Sequence, residues 1–327
     1  MPLPEPNFEP PFNIVRCSHA VLGVSDLARS RAFYEGAIGL RTQDEDAGTL
    51  WLRGVEERNH HSLVLKQVDT PQALRLGFKV ASDEDLEKAR SHFAREGLPC
   101  RWSEEAYQGR TLHVSDPEGI ALEFCYSFDQ APRLLQKYEH YRGCHPQRLD
   151  HFNCFSPNVQ GSIDFYNSLG FRVTEYTETD GDDAAIWAAW MHRKGNVHDM
   201  AFTNGRGPRL HHLAYWVPTA LNIIHLCDVM STSGWLENME RGPGRHGISN
   251  AFFLYVRDPD GHRTELYTSD YQTMDPDHEA IRWSLTDTQR QTLWGMPAPK
   301  SWFEEGSEFP QQKVREPKLK AQPIVAH

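Results

Sequence analysis

Apolar and polar side chains alternate along this chain in short runs bounded by Gly, Pro, Asp and Asn. Leu149-Asp150-His151-Phe152-Asn153, Arg209-Leu210-His211-His212-Leu213 and Arg263-Thr264-Glu265-Leu266-Tyr267 are runs of this kind. A period of two sends every second side chain to the same face, so these runs predict strands. Between such runs stand stretches of helical pattern that each stop at a Gly. They are Asp26 to Tyr34 before Gly39, Ser82 to Arg90 before Gly97, Ile163 to Tyr166 before Gly170, and Asn222 to Met230 before Gly234. Asp116-Pro117-Glu118-Gly119 and Asp258-Pro259-Asp260-Gly261 are turns with Pro second and Gly fourth, each leading into an apolar strand.

The order of these signals repeats. Cys17-Ser18-His19-Ala20-Val21, the Phe33-Tyr34 helix and the strand carrying Glu123 recur as Leu149-Asp150-His151-Phe152-Asn153, the Phe165-Tyr166 helix and the strand carrying Glu265. His19 lies 132 positions before His151, and Glu123 lies 142 before Glu265, so the later copy carries an insertion of about ten residues. The pattern predicts four βαβββ units, two per copy: an α+β fold of two tandem domains with cupped mixed sheets. Expected boundaries are 1–145, 146–285, and a lid and tail over 286–327.

The copies differ in their chemistry. His151, His212 and Glu265 are two imidazoles and a carboxylate on strands of the second copy. That set holds iron(II) or manganese(II) with open coordination positions for substrate and dioxygen. Aligning Leu76-Gly77-Phe78-Lys79-Val80 on Leu213-Ala214-Tyr215-Trp216-Val217 sets Arg75 opposite His212. A guanidinium cannot ligate a metal, so the first copy is expected to be a structural partner. Because strand neighbours point to opposite faces, only one of His211 and His212 is expected to face the ion, and His212 is chosen.

With Trp190-Met191-His192-Arg193-Lys194, Val197-His198-Asp199, Arg241-Gly242-Pro243-Gly244-Arg245-His246-Gly247 and Asp258-Pro259-Asp260-Gly261-His262-Arg263, the chain resembles the vicinal-oxygen-chelate superfamily. Within it the likeness is to the type I extradiol ring-cleaving dioxygenases, especially those acting on 3,4-dihydroxyphenylacetate, over residues 12 to 303. The resemblance implies Fe(II), with Mn(II) as the alternative, at His151, His212 and Glu265, and dioxygen as co-substrate. It implies an acid-base role for His198, donation to substrate by Tyr255, and Asn153 and Trp190 around the ring and oxygen. Arg241 and His246 are implied to meet the carboxylate. Thr288-Gln289-Arg290-Gln291-Thr292 departs from a paired-arginine run, leaving Arg290 as the charged member. Other catechols, a glyoxalase-type metalloenzyme and a bleomycin-resistance-type binding protein are the competing readings. A homotetramer is also implied.

Composition narrows the partners. A formal charge of −11 and a pI near 5.8 argue against nucleic acid or an anionic membrane surface. No apolar stretch approaches the roughly 20 residues of a membrane span. The acidic, Pro-rich start lacks a signal peptide's basic and apolar regions, so a cytoplasmic location is expected. The six cysteines show no C-x-x-C spacing and read as reduced, buried residues. The irregular stretch from Gly295, with Trp302 and Phe303, is expected to cover the site, and disorder is expected beyond Gln311.

Overall fold

One strand pattern, used twice, accounts for most of the chain. The first half comprises β1 (Ile14–Val24), α1 (Leu27–Arg31, continued as a π turn over Ala32–Ile38), β2 (Arg41–Glu45), β3 (Thr49–Arg53) and β4 (Leu63–Gln67), then β5 (Gln72–Val80), α2 (Asp83–Arg95), β6 (Cys100–Glu105), β7 (Gly109–Ser115) and β8 (Ala121–Cys125). The second half comprises β9 (Arg148–Ser156), α3 (Val159–Ser168), β10 (Arg172–Glu178), β11 (Ile186–His192) and β12 (Met200–Asn204), then β13 (Arg209–Trp216), α4 (Ala220–Thr232), β14 (Met239–Arg245), β15 (Phe252–Arg257) and β16 (Arg263–Thr268). β17 (Ile281–Ser284) and α5 (Lys300–Glu304) follow. The computed structural model describes residues 3–323 and 325.

The sheets run β2-β3-β4-β1-β5-β8-β7-β6 and β14-β15-β16-β13-β9-β12-β11-β10-β17. Read from opposite ends these are the same order, with β17 added at one edge. The four βαβββ units expected from the sequence are therefore present, in two mixed sheets. No described helix is long and apolar enough to cross a membrane.

Local chemistry explains the boundaries. Asp26 caps α1 by accepting from the Arg29 N–H, and Ser82 caps α2 by accepting from the Asp85 N–H. The π turn closes on Gly39 at φ +96°, where a Cβ would stand 2.0 Å from the Arg142 carbonyl oxygen; only glycine fits. In the turns, Asp116 Oδ1 accepts from the N–H groups of Glu118, Gly119 and Ile120, and Asp258 Oδ1 from those of Asp260 and His262.

The halves share one apolar core. Phe78 of the first packs edge-on against Phe152 and Phe171 of the second, at 6.1 and 5.7 Å between ring centres. Two polar links cross the same boundary reciprocally: the Tyr34 hydroxyl donates to Asp258 at 3.0 Å, and the Tyr166 hydroxyl to Asp116 at 3.3 Å. The disorder expected beyond Gln311 is not seen from Gln312 to Ala321, and residues 324, 326 and 327 lie outside the described residues. Arg315 and Gly207 exchange backbone hydrogen bonds, Lys318 N–H donates to Pro157, and the carbonyls of Leu319 and Ala321 accept from Asn204 and the Trp187 indole. Lys and Pro content pointed to disorder, but the loop around Pro157 and Gly207 supplies the backbone partners that composition cannot reveal.

Candidate metal centre

Strand register builds the centre. His151 of β9 lies opposite Ala214 of β13, and Ala214 lies opposite Glu265 of β16. His212, two residues before Ala214, falls on the same face. Ligand atoms of His151, His212 and Glu265 all lie within 4.8 Å of one another, and all three residues are buried. Glu265 Oε2 stands 3.1 Å from His151 Nε2 and 3.2 Å from His212 Nε2.

Both His211 and His212 line the cavity, and of the two only His212 joins the triad, the one chosen from the sequence. His211 enters through a bulge: Leu210 pairs with Cys154 and His212 with Asn153, so His211 is the extra residue and strict alternation breaks there. The two rings nevertheless differ in role. His211 Nε2 lies 2.9 Å from the Trp302 carbonyl, an obligate acceptor, so that nitrogen carries the hydrogen and Nδ1 is an acceptor. His212 Nδ1–H then donates to His211 Nδ1 at 2.6 Å, which turns the His212 Nε2 lone pair inward. His151 Nδ1–H donates to Asp150 at 3.0 Å, and its Nε2 likewise faces Glu265.

Two imidazole nitrogens and a carboxylate oxygen thus converge at one buried point. Such a donor set calls for a cation, and neutral imidazoles oriented by outer carboxylate or imidazole partners are what a divalent ion requires. Burial would raise the Glu265 carboxyl, but its contacts with His151 and His212 outweigh that and hold it well below the ordinary carboxylate range. Asp150 is itself fixed by the Tyr267 hydroxyl at 2.5 Å and the Asn196 amide at 2.8 Å.

The other residues expected at the site fall around a cavity of about 590 Å³. His198, just before β12, lies over His151; it is buried, and neither ring nitrogen has a partner among the described residues. Burial, then the neighbouring His151, pushes its pKa well below the usual imidazole value, so the ring is neutral. Tyr255 lies opposite Glu265 in the β15–β16 pair. Its hydroxyl is 3.0 Å from His246 Nε2. His246 Nδ1 must donate to the Gln291 carbonyl, so the Tyr255 hydroxyl donates to His246. Burial raises the Tyr255 phenol well above its normal range and keeps it protonated. Asn153 and Trp190 line the wall, the Asn153 Oδ1 accepting from the Thr203 hydroxyl at 3.1 Å.

The basic residues divide into two layers. Arg290, only 1% exposed, reaches the cavity wall; its Nε and Nη2 have no partner among the described residues, and burial brings its pKa down to about 10. Arg241 stands behind the wall, stacked on Trp302 at 4.5 Å, and donates to the Gln291 carbonyl and the Thr292 hydroxyl. Arg241 and His246 together therefore grip the Gln291 carbonyl beside Arg290.

Sequence reasoning missed Trp187, Thr203, Ile248, Ser249 and Ala251 of this wall. Trp187 and Ile248 carry no signal beyond hydrophobicity. Ser249, at φ +57°, is held by its N–H donating to buried Glu175, which also accepts from the Tyr271 hydroxyl and the Trp283 indole. Glu175 is far from Ser249 in sequence, and nothing in its own surroundings marks it.

Residues 16–124 and 148–266 match the model of the Glyoxalase/Bleomycin resistance protein/Dioxygenase superfamily. The chain belongs to this superfamily. Its two matched segments are the two halves described above, so the superfamily module occurs twice. A manganese-dependent 2,3-dihydroxybiphenyl 1,2-dioxygenase from Geobacillus genomosp. 3 is 31% identical over 303 residues, covering 88% of this chain and 95% of that relative. The homoprotocatechuate 2,3-dioxygenase structure from Arthrobacter globiformis superposes with TM-score 0.91 at 40% identity, over 94% of this chain and 98% of the other. A mutant of the Brevibacterium fuscum enzyme of that name gives 0.92 at 41% identity, over 97% and 90%. Within the superfamily the chain is thus of the extradiol ring-cleaving dioxygenase type.

Proposed function

We propose that this extradiol dioxygenase opens the ring of 3,4-dihydroxyphenylacetate beside one hydroxyl, inserting both atoms of dioxygen, with His151, His212 and Glu265 as its metal ligands. The observation that carries the reading is the convergence of those three side chains beside His198, whose ring nitrogens are unpartnered among the described residues, with Arg290 on the same cavity wall. A divalent ion held there would bind both catechol oxygens, lower their proton affinity and couple the electron-rich ring to dioxygen.

The protein's own groups then have distinct tasks. His198, neutral with free nitrogens, takes the proton of the second hydroxyl and returns it as the ring opens. Tyr255, held protonated, offers its hydrogen to a substrate oxygen in competition with His246 Nε2. Trp190 and Asn153 confine the ring and the oxygen path. Trp302, on α5, lies against Tyr255 and His211 at 4.3 Å between ring centres and closes the cavity against water. Arg290 meets the carboxylate as a planar fork, with Arg241 and His246 holding the loop that presents it.

Iron(II) and manganese(II) both suit this donor set. A glyoxalase-type reaction is less well served, because no second carboxylate joins the triad among the described residues. We further propose a cytoplasmic homotetramer, which light scattering on the purified protein would check. The deciding experiment is anaerobic loading with iron(II), then air and 3,4-dihydroxyphenylacetate, with catechol and 3-methylcatechol in parallel. Fast yellowing with the acid supports the reading; faster turnover of the uncharged catechols removes the carboxylate assignment. No colour from metal-loaded protein removes the reaction.

A further inference from the structure

The first half carries a second cup, and strand register aligns it with the first-described one residue by residue. His19 lies opposite Gly77, which lies opposite Glu123, just as His151, Ala214 and Glu265 do. Ala20 pairs with Leu63 as Phe152 pairs with Met200, so His61 takes the place of His198. Trp51 pairs with Val64 as Trp190 pairs with Ala201, so Trp51 takes the place of Trp190. Four of the groups assigned to the catalytic cup are therefore duplicated by identical residue types. The position of His212, two residues before Gly77, is held by Arg75.

His19 and Arg75 converge on Glu123, which is 1% exposed. His19 Nε2 meets its Oε1, Arg75 Nε meets its Oε2, and the Gln108 amide donates to Oε1 at 3.1 Å. His61, fully buried, faces the same group through Gln108 at 3.0 Å. A carboxylate this deeply buried needs a positive partner. In the second half the geometry calls for a metal ion; here a side chain supplies the charge.

We infer that Arg75 is the resident cation of a latent second metal site, its guanidinium standing where a divalent ion would bind to His19 and Glu123 and keeping such ions out. This rests on reading His151, His212 and Glu265 as metal ligands, and the test separates the two.

Full-length wild type, Arg75→His and Arg75→Lys are loaded anaerobically with manganese(II), desalted, and their metal counted per chain. One ion in wild type and in Arg75→Lys, with two in Arg75→His, is expected. A single ion in Arg75→His overturns the inference and leaves the first site intact, whereas none in wild type removes the underlying reading and the inference with it. Should Arg75→His not fold, Arg75→Ala in a Glu265→Ala background gives an independent readout. Added manganese(II) should raise its melting temperature, and should leave Glu265→Ala alone unchanged. Equal responses of the two proteins overturn the inference.

Discussion

The ring of His198 lies over that of His151, 3.8 Å between centres, while neither nitrogen of His198 has a partner among the described residues. A buried imidazole with two free nitrogens is costly unless it handles protons. His198→Asn should therefore lower kcat by about 10²- to 10⁴-fold. Metal content should not change, because His198 contributes no ligand atom to the triad. Steady-state kinetics with metal analysis on the same sample would show it, and a fully active variant refutes the assignment.

Asp150 orients His151 and is braced by Tyr267 and Asn196. Asp150→Asn keeps the shape but weakens the hold on the Nδ1 hydrogen. Metal affinity should fall by about 10- to 100-fold. Competition against a chromophoric chelator measures the loss directly; an unchanged affinity would mean that His151 is positioned by packing alone.

Chelation of the ion should abolish turnover and lower the melting temperature, since an ion bound only by the folded chain stabilises it. Restoring metal to 100 times its Kd should return about 2.7 kcal/mol of stability. Calorimetry across a metal titration tests this, and a melting temperature independent of metal counts against the site.

Arg290 and its neighbour Gln291 should set the preference for a charged substrate. Removing one charge-assisted contact costs about 1.5–3 kcal/mol. Arg290→Gln is therefore expected to cut kcat/KM for 3,4-dihydroxyphenylacetate by roughly 10- to 100-fold and to leave plain catechol nearly unaffected. Gln291→Arg should shift the ratio the other way. If both substrates lose equally in Arg290→Gln, the residue supports the loop rather than the carboxylate.

The fold was legible because alternation, glycine stops and Asp-Pro turns are local signals, and each occurs twice. The triad was legible for the same reason: His151, His212 and Glu265 each sit inside a run whose strand character is plain. What stayed hidden depends on register and bulges. His61 and Trp51 gain meaning only when β4 and β3 are paired with their neighbours, and His211 enters the cavity only because β13 bulges. The two-layer arrangement of Arg241 and Arg290 depends on how one loop packs on another. The path of the tail rests on backbone hydrogen bonds to distant residues, which composition does not record.

The reciprocal links from Tyr34 to Asp258 and from Tyr166 to Asp116 have the form of an isologous contact, in which position i of one partner meets j of the other and the reverse. In two separate chains that pattern marks a twofold dimer. Here a single thread carries both partners, so the association cannot be diluted away. With each half guaranteed its mate, changes within the first cup can accumulate without dissolving the assembly that shapes the second.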